Sequence, residues 1–215
     1  MKDTIYSREQ YLRKKAAEKE PLNIQLTNNY AFRKLFKMNY IARGFLIALL
    51  GLDEEDVVKL EVIDPFEEGE NEEEKEGILD IKIYLNDNKK INIEMQNRYQ
   101  EDWTERSLFY NCRMFTEGLY HGQPYGDLEP CIHVGILDFD LMKTPGFHHH
   151  IKLLDIKTNE EYSSKLQFHV VQLKQVESAT EEEKQTELYY WAKLLAAKDW
   201  KQVEETIRGN HIERR

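Results

Sequence analysis

Three polar side chains near the middle of the chain are of the types that gather a cation. They are Asp80, Glu94 and Gln96, within the stretch ILDIKIYLNDNKKINIEMQ from Ile78 to Gln96. Leu79, Ile81, Ile83 and Leu85 alternate with polar residues, and Ile91, Ile93 and Met95 do the same further on. That period of two predicts two strands, each with an apolar and a polar face. Asn86-Asp87-Asn88 between them is turn chemistry, so the pair reads as a β-hairpin. Both apolar sets must face one core, so paired residue numbers sum to an even value. A sum of 174 sets Asp80 opposite Glu94. A sum of 176 sets Asp80 opposite Gln96 and Glu94 opposite Lys82. In either register Asp80, Glu94 and Gln96 cluster on the polar face. Directly opposed β-carbons lie about 5 Å apart, and two carboxylates that close repel unless a cation joins them. Oxygen-rich sites suit Mg²⁺ or Mn²⁺. The competing reading is an ordinary solvated sheet face on which Lys82 neutralises an acid.

Other chemistries find no foothold. The chain has no phosphate-cradling glycine loop and no His-Glu-x-x-His helix, and no Ser-His-Asp or Cys-His set is apparent. Asp138-Phe-Asp140 follows an apolar run, but without neighbouring Lys or Thr motifs its acids read as loop caps. His148-His149-His150 is internal, and consecutive histidines do not share one face of a strand.

A strand ending in Asp, a turn, and a strand carrying Glu-x-Gln resemble the core of the PD-(D/E)XK nucleases. The chain is most similar to their recombination-promoting nuclease and transposase branch. Five pieces carry the resemblance, in the family's order across about residues 24–195. They are LTNNYAFRKLF from Leu26, GILDIK from Gly77, INIEMQ from Ile91, ERSLFY from Glu105, and PCIHVGILDF from Pro130. The resemblance implies a restriction-endonuclease-like α/β core, a central mixed sheet flanked by helices. It implies metal-dependent cleavage of DNA, with Asp80, Glu94 and Asn29 at the metal, Mg²⁺ or Mn²⁺. Gln96 stands with Asp80 and Glu94 in the catalytic set, and Arg106, Tyr110 and Arg113 are the candidate substrate-binding residues. The family usually has Asp at the position of Asn29, and many relatives have Lys at the position of Gln96. A neutral amide at each place lowers the expected metal affinity and rate. The alternative is therefore a nuclease fold that binds DNA or protein without cutting.

The elements that must position these residues are legible in turn. Thr27 or Asn28 caps a helix through Phe36, with Tyr30, Ala31, Leu35 and Phe36 as its buried stripe. A second helix runs from about Tyr40 to Leu50, ended by Gly51 in a left-handed cap. Val57–Pro65 is the first strand. A helix from about Asp102 to Leu119 should bury Leu108, Cys112, Phe115 and Leu119, leaving Arg106, Tyr110 and Arg113 on another line. Cys131–Phe139 reads as a strand covered on both faces. Ile151–Ile156 and Leu166–Val176 are further strands, and Ala179–Lys198 is helical.

The 215 residues fit a charged N-terminal arm (1–22), one nuclease-like domain (23–200) and a C-terminal helical tail (201–215). Charged residues make up 33% and the net charge is −10. That argues against a broad basic grip on nucleic acid. Seven glutamates and one lysine sit in Glu67–Glu76 alone, which reads as a solvated loop. Cys112 and Cys131 lack metal spacing and are expected as buried thiols. The N-terminus is charged and the longest apolar run far too short for a bilayer, so a cytoplasmic protein without membrane contact is expected. DNA is the expected partner, and a homodimer stays open.

Overall fold

The computed structural model describes residues 8–63, 81–86, 88–117 and 119–209. The acidic run Glu67–Glu76 and Asp80 lie outside the described residues. Six strands form one mixed sheet: β1 (Leu60–Ile63), β2 (Ile81–Leu85), β3 (Lys89–Gln96), β4 (Cys131–Leu137), β5 (His148–Leu154) and β6 (Glu161–Gln172). Their order across the sheet is β1-β2-β3-β4-β6-β5. β3, β4 and β6 run parallel, and the remaining neighbours pair antiparallel. This is a mixed α/β fold, as expected.

The hairpin β2–β3 takes the register that sums to 174, with Ile81 opposite Ile93 and Leu85 opposite Lys89. Ile81, Ile83, Leu85, Ile91, Ile93 and Met95 are all buried on one face. Asn86 turns the chain at φ 54° and ties the hairpin to the segment before β1. Its Oδ1 accepts from the Val58 and Lys59 N–H groups (3.0 and 3.1 Å), and its Nδ2 donates to the Asp56 carbonyl (2.7 Å). β1 therefore starts at Leu60, three residues later than expected, because residues 54–56 form a 3₁₀ turn.

The apolar sheet face is covered by α2 (Asn29–Phe36), α3 (Asn39–Leu50) and α5 (Glu187–Ala196). Asn28 caps α2 by accepting from the Tyr30 and Ala31 N–H groups, and Gly51 closes α3 at φ 63°. In α2 the buried side chains are Phe32 and Phe36, whereas Tyr30 is exposed. The charged N-terminal arm contains a helix, α1 (Arg8–Ala17), which packs on α6 (Trp200–Gly209). Tyr11 meets Trp200 edge-on, and Trp200 N–H donates to the Glu20 carbonyl (3.0 Å).

The opposite face is covered by α4 (Trp103–Thr116), and here the expectation is corrected. The side chains turned inward are Trp103, Ser107, Tyr110, Asn111 and Met114. Leu108 and Cys112 are exposed. The cause lies in the sheet. The strands present Lys90, Asn92, Glu94 and His133 to this helix, and all four are buried. A helix laid on a polar face cannot bring its most apolar stripe to it, so it offers hydroxyl and amide groups with Trp103 at one end.

Candidate active site

Strand parity sets the centre of the site. Asn92 and Glu94 point to the α4 side because Ile91, Ile93 and Met95 occupy the other. On β4, Ile132, Val134 and Ile136 face the main core, so His133 and Gly135 also face α4. The parallel register sets Asn92 beside His133 and Glu94 beside Gly135. Gly135 is required there: a β-carbon would stand 2.6 Å from Cζ2 of Trp103. The indole thus rests on the glycine and fixes the start of α4 one turn before Arg106.

Arg106 is the partner that α4 delivers. Its Nε and an Nη nitrogen each lie 2.9 Å from Glu94 Oε1. The Glu94 side chain is 4% exposed and that of Arg106 27%, so the carboxylate is enclosed while the guanidinium is partly open to solvent. The guanidinium lies over the Tyr110 ring at 4.9 Å, one helical turn on. This cation–π contact orients the arginine towards the carboxylate. Arg113 lies further along α4 and is half-buried. Lys82, on β2, pairs with Glu117 at 2.9 Å.

Among the described residues, the second oxygen of Glu94 has no hydrogen-bond partner. Neither do His133 Nε2, nor either amide atom of Asn92, and all are buried. His133 Nε2 stands 3.6 Å from Glu94 Oε2, beyond hydrogen-bond reach. A buried polar group left unpaired costs about 1–3 kcal/mol, so such a cluster beside a carboxylate is a place built for a further partner. The donor set is two oxygens and one imidazole nitrogen, which suits a divalent cation. The orphaned Oε2 of Glu94 is thus the observation on which a metal fits here.

The remaining sequence candidates are placed as follows. Asp80 lies outside the described residues. Gln96 is half-buried at the end of β3, and its carbonyl accepts from the Asp138 N–H at 2.9 Å. Asn29 is the exposed first residue of α2. Asn28 and Asn97 line one groove of about 320 Å³ with Asn23, Ile24, Gln25 and Thr27, so the start of α2 borders the end of β3. The structure brings together Glu94, Arg106 and Tyr110. Sequence reasoning missed His133 and Asn92. The one imidazole in the apolar run CIHVGIL, at the parity opposite the isoleucines, was the available signal for His133.

A histidine cluster sits on the other sheet face at β5 and β6. His148 and His150 share a face, two residues apart, while His149 between them takes the other, as expected of consecutive residues on a strand. His150 stacks on His169 at 4.1 Å. His148 Nε2 meets His169 Nδ1 at 2.9 Å with the rings only 13° from parallel. That head-on contact needs one proton between the nitrogens, which leaves no room for a shared ion. Burial holds His148 down at about 4 and His169 at about 3. Among the described residues no three His, Cys, Asp or Glu side chains are arranged to hold a metal. Cys131 is buried and its thiol is pushed up to about 12 by burial, whereas Cys112 is exposed, against expectation.

Residues 26–213 match the family model of PD-(D/E)XK nuclease family transposases. The chain belongs to this family. Searches of curated proteins and of solved structures returned no match. The matched residues include β3, with Glu94-Met95-Gln96, and α4, between which the buried charge pair lies. The family supports a nuclease- or transposase-like function. Among the described residues no helix is long and apolar enough to cross a membrane.

Proposed function

We propose that the chain is a metal-dependent DNA endonuclease serving recombination or a mobile element, with Mg²⁺ or Mn²⁺ as its ion. The observation that carries this is Glu94: a buried carboxylate on the central hairpin whose Oε2 has no hydrogen-bond partner among the described residues. The hairpin register supports Asp80 as its companion, since 174 is the sum for which Asp80 was expected opposite Glu94. When bound, the ion supplies a Lewis acid for charge on a phosphodiester oxygen and lowers the pKa of water. Glu94 and Asp80 hold it, and Asn29 is the further oxygen donor proposed near it. Gln96 orients water through its amide but brings no positive charge to the transition state, so slow turnover is expected. Arg106 is already cationic beside Glu94 and partly exposed. It is the group that would meet a DNA phosphate by leaving the carboxylate, with Tyr110 as its platform and Arg113 further along the same helix.

Purified protein should nick or cut DNA only with a divalent ion, and Asp80→Ala should abolish cleavage. Cleavage that persists in EDTA or in that variant would refute the reading. A second reading, a DNA- or protein-binding module that no longer cuts, is favoured by the ion pair itself. A Glu94 held by Arg106 and 4% exposed is a stable resting state. That reading predicts retained DNA binding with no cleavage at any Mn²⁺ concentration.

A further inference from the structure

His133 has no part in the cleavage centre proposed above. It is 1% exposed, in the middle of a strand whose every residue is buried. Its ring is flanked by Trp103 at 5.9 Å and Phe168 at 6.3 Å, so it is fixed by packing. Its Nε2 faces Glu94 Oε2 across 3.6 Å, and neither atom has a hydrogen-bond partner. Asn92, its neighbour in the β3–β4 register, has both amide atoms unpartnered as well. Three side chains on two adjacent strands thus leave polar atoms unpaired on one face. Ligand nitrogen and carboxylate oxygen each sit about 2.1 Å from an ion. At bond angles of 90–109° about that ion they are then roughly 3.0–3.4 Å apart. The observed separation is within a few tenths of an ångström of that range.

We propose that Glu94 Oε2, His133 Nε2 and Asn92 Oδ1 form a divalent-metal site on the β4 side of Glu94. It lies on the side of β3 that faces β4, across that strand from β2. The inference rests on the reading of Glu94 as a metal ligand and deepens it by naming the ion. One imidazole nitrogen among oxygens favours a borderline ion such as Mn²⁺, Co²⁺ or Zn²⁺ over Mg²⁺, which strongly prefers oxygen. Arg106 covers the approach, and its displacement from Glu94 accompanies loading.

The test uses the full chain with Mn²⁺ as probe. Its affinity is measured by calorimetry and its ligands by pulsed electron paramagnetic resonance. Wild-type protein should show ¹⁴N coupling from a directly bound imidazole and bind Mn²⁺ more tightly than Mg²⁺. His133→Gln and His133→Phe, each checked for folding by near-ultraviolet circular dichroism, should lose that coupling. Both should bind Mn²⁺ at least about tenfold more weakly. Asp80→Asn should keep the coupling, so it separates this site from the proposed cleavage centre. Mn²⁺ bound without ¹⁴N coupling, or coupling that persists without His133, overturns the inference and leaves the endonuclease reading standing. No Mn²⁺ binding by any variant overturns the inference and the metal dependence together.

Discussion

Removing the Arg106 guanidinium would leave the buried Glu94 carboxylate under α4 without its ion-pair partner. Breaking a buried pair from one side costs about 3–5 kcal/mol. Arg106 is partly exposed, so Arg106→Ala should lose roughly 3 kcal/mol, read from urea unfolding monitored by tryptophan fluorescence. Adding Glu94→Gln should recover much of it, because the orphaned charge is then gone. Independent, additive losses in the double variant would show that the two side chains are not coupled. The place of Glu94 was legible in the alternation of INIEMQ: parity put it opposite the core isoleucines, and it is there. Its burial was not legible. Alternation says which side of a strand a residue takes, never what covers that side. Asp80 was named by the same pattern and lies outside the described residues.

At the scale of elements, the contact between α4 and β4 decides where Arg106 falls. Trp103 rests on Gly135, and a methyl group there would press on the indole. Gly135→Ala should cost about 1–3 kcal/mol as overpacking, measured by thermal or urea unfolding. It should also weaken the Glu94–Arg106 coupling, because the first turn of α4 is pushed outward. Trp103→Phe in the same chain should relieve part of the loss, and an unchanged stability in Gly135→Ala would disprove the tight approach. The strands β2, β3 and β4 and the caps of α2 and α3 were legible because local chemistry specifies them: alternation, Asn28 and Gly51. The rotation of α4 was not. Leu108, Cys112 and Phe115 make the more apolar line, but the sheet beneath carries Asn92, Glu94 and His133, and a polar surface selects the helix face with Ser107 and Asn111. Tertiary context overrode the local pattern.

For the molecule as a whole, the sheet edge at β5 and β6 sets a limit in acid. His148 and His169 are held below their ordinary 6.5, at about 4 and about 3. The unfolded chain protonates both near 6.5, while the folded chain keeps them neutral to lower pH. Stability is therefore full above about pH 6.5 and falls between there and about pH 3–4 by up to roughly 1.4 kcal/mol per pH unit for each ring. Urea midpoints measured from pH 7 to pH 4 should fall, and His169→Phe should flatten the slope. An unaltered slope in that variant would place the acid sensitivity elsewhere. The order of motifs along the chain made the fold and the family legible, since each motif is local. The meeting of His148 and His150 with His169 was not, because it depends on how two strands pair. The contrast between the two thiols has a practical consequence. With the Cys131 sulfur sealed and protonated, a maleimide dye added to native protein reacts at Cys112 alone. That places a single reporter on the outer surface of α4 without any engineered change, so movement of that helix on loading with metal or DNA becomes visible as a change in emission.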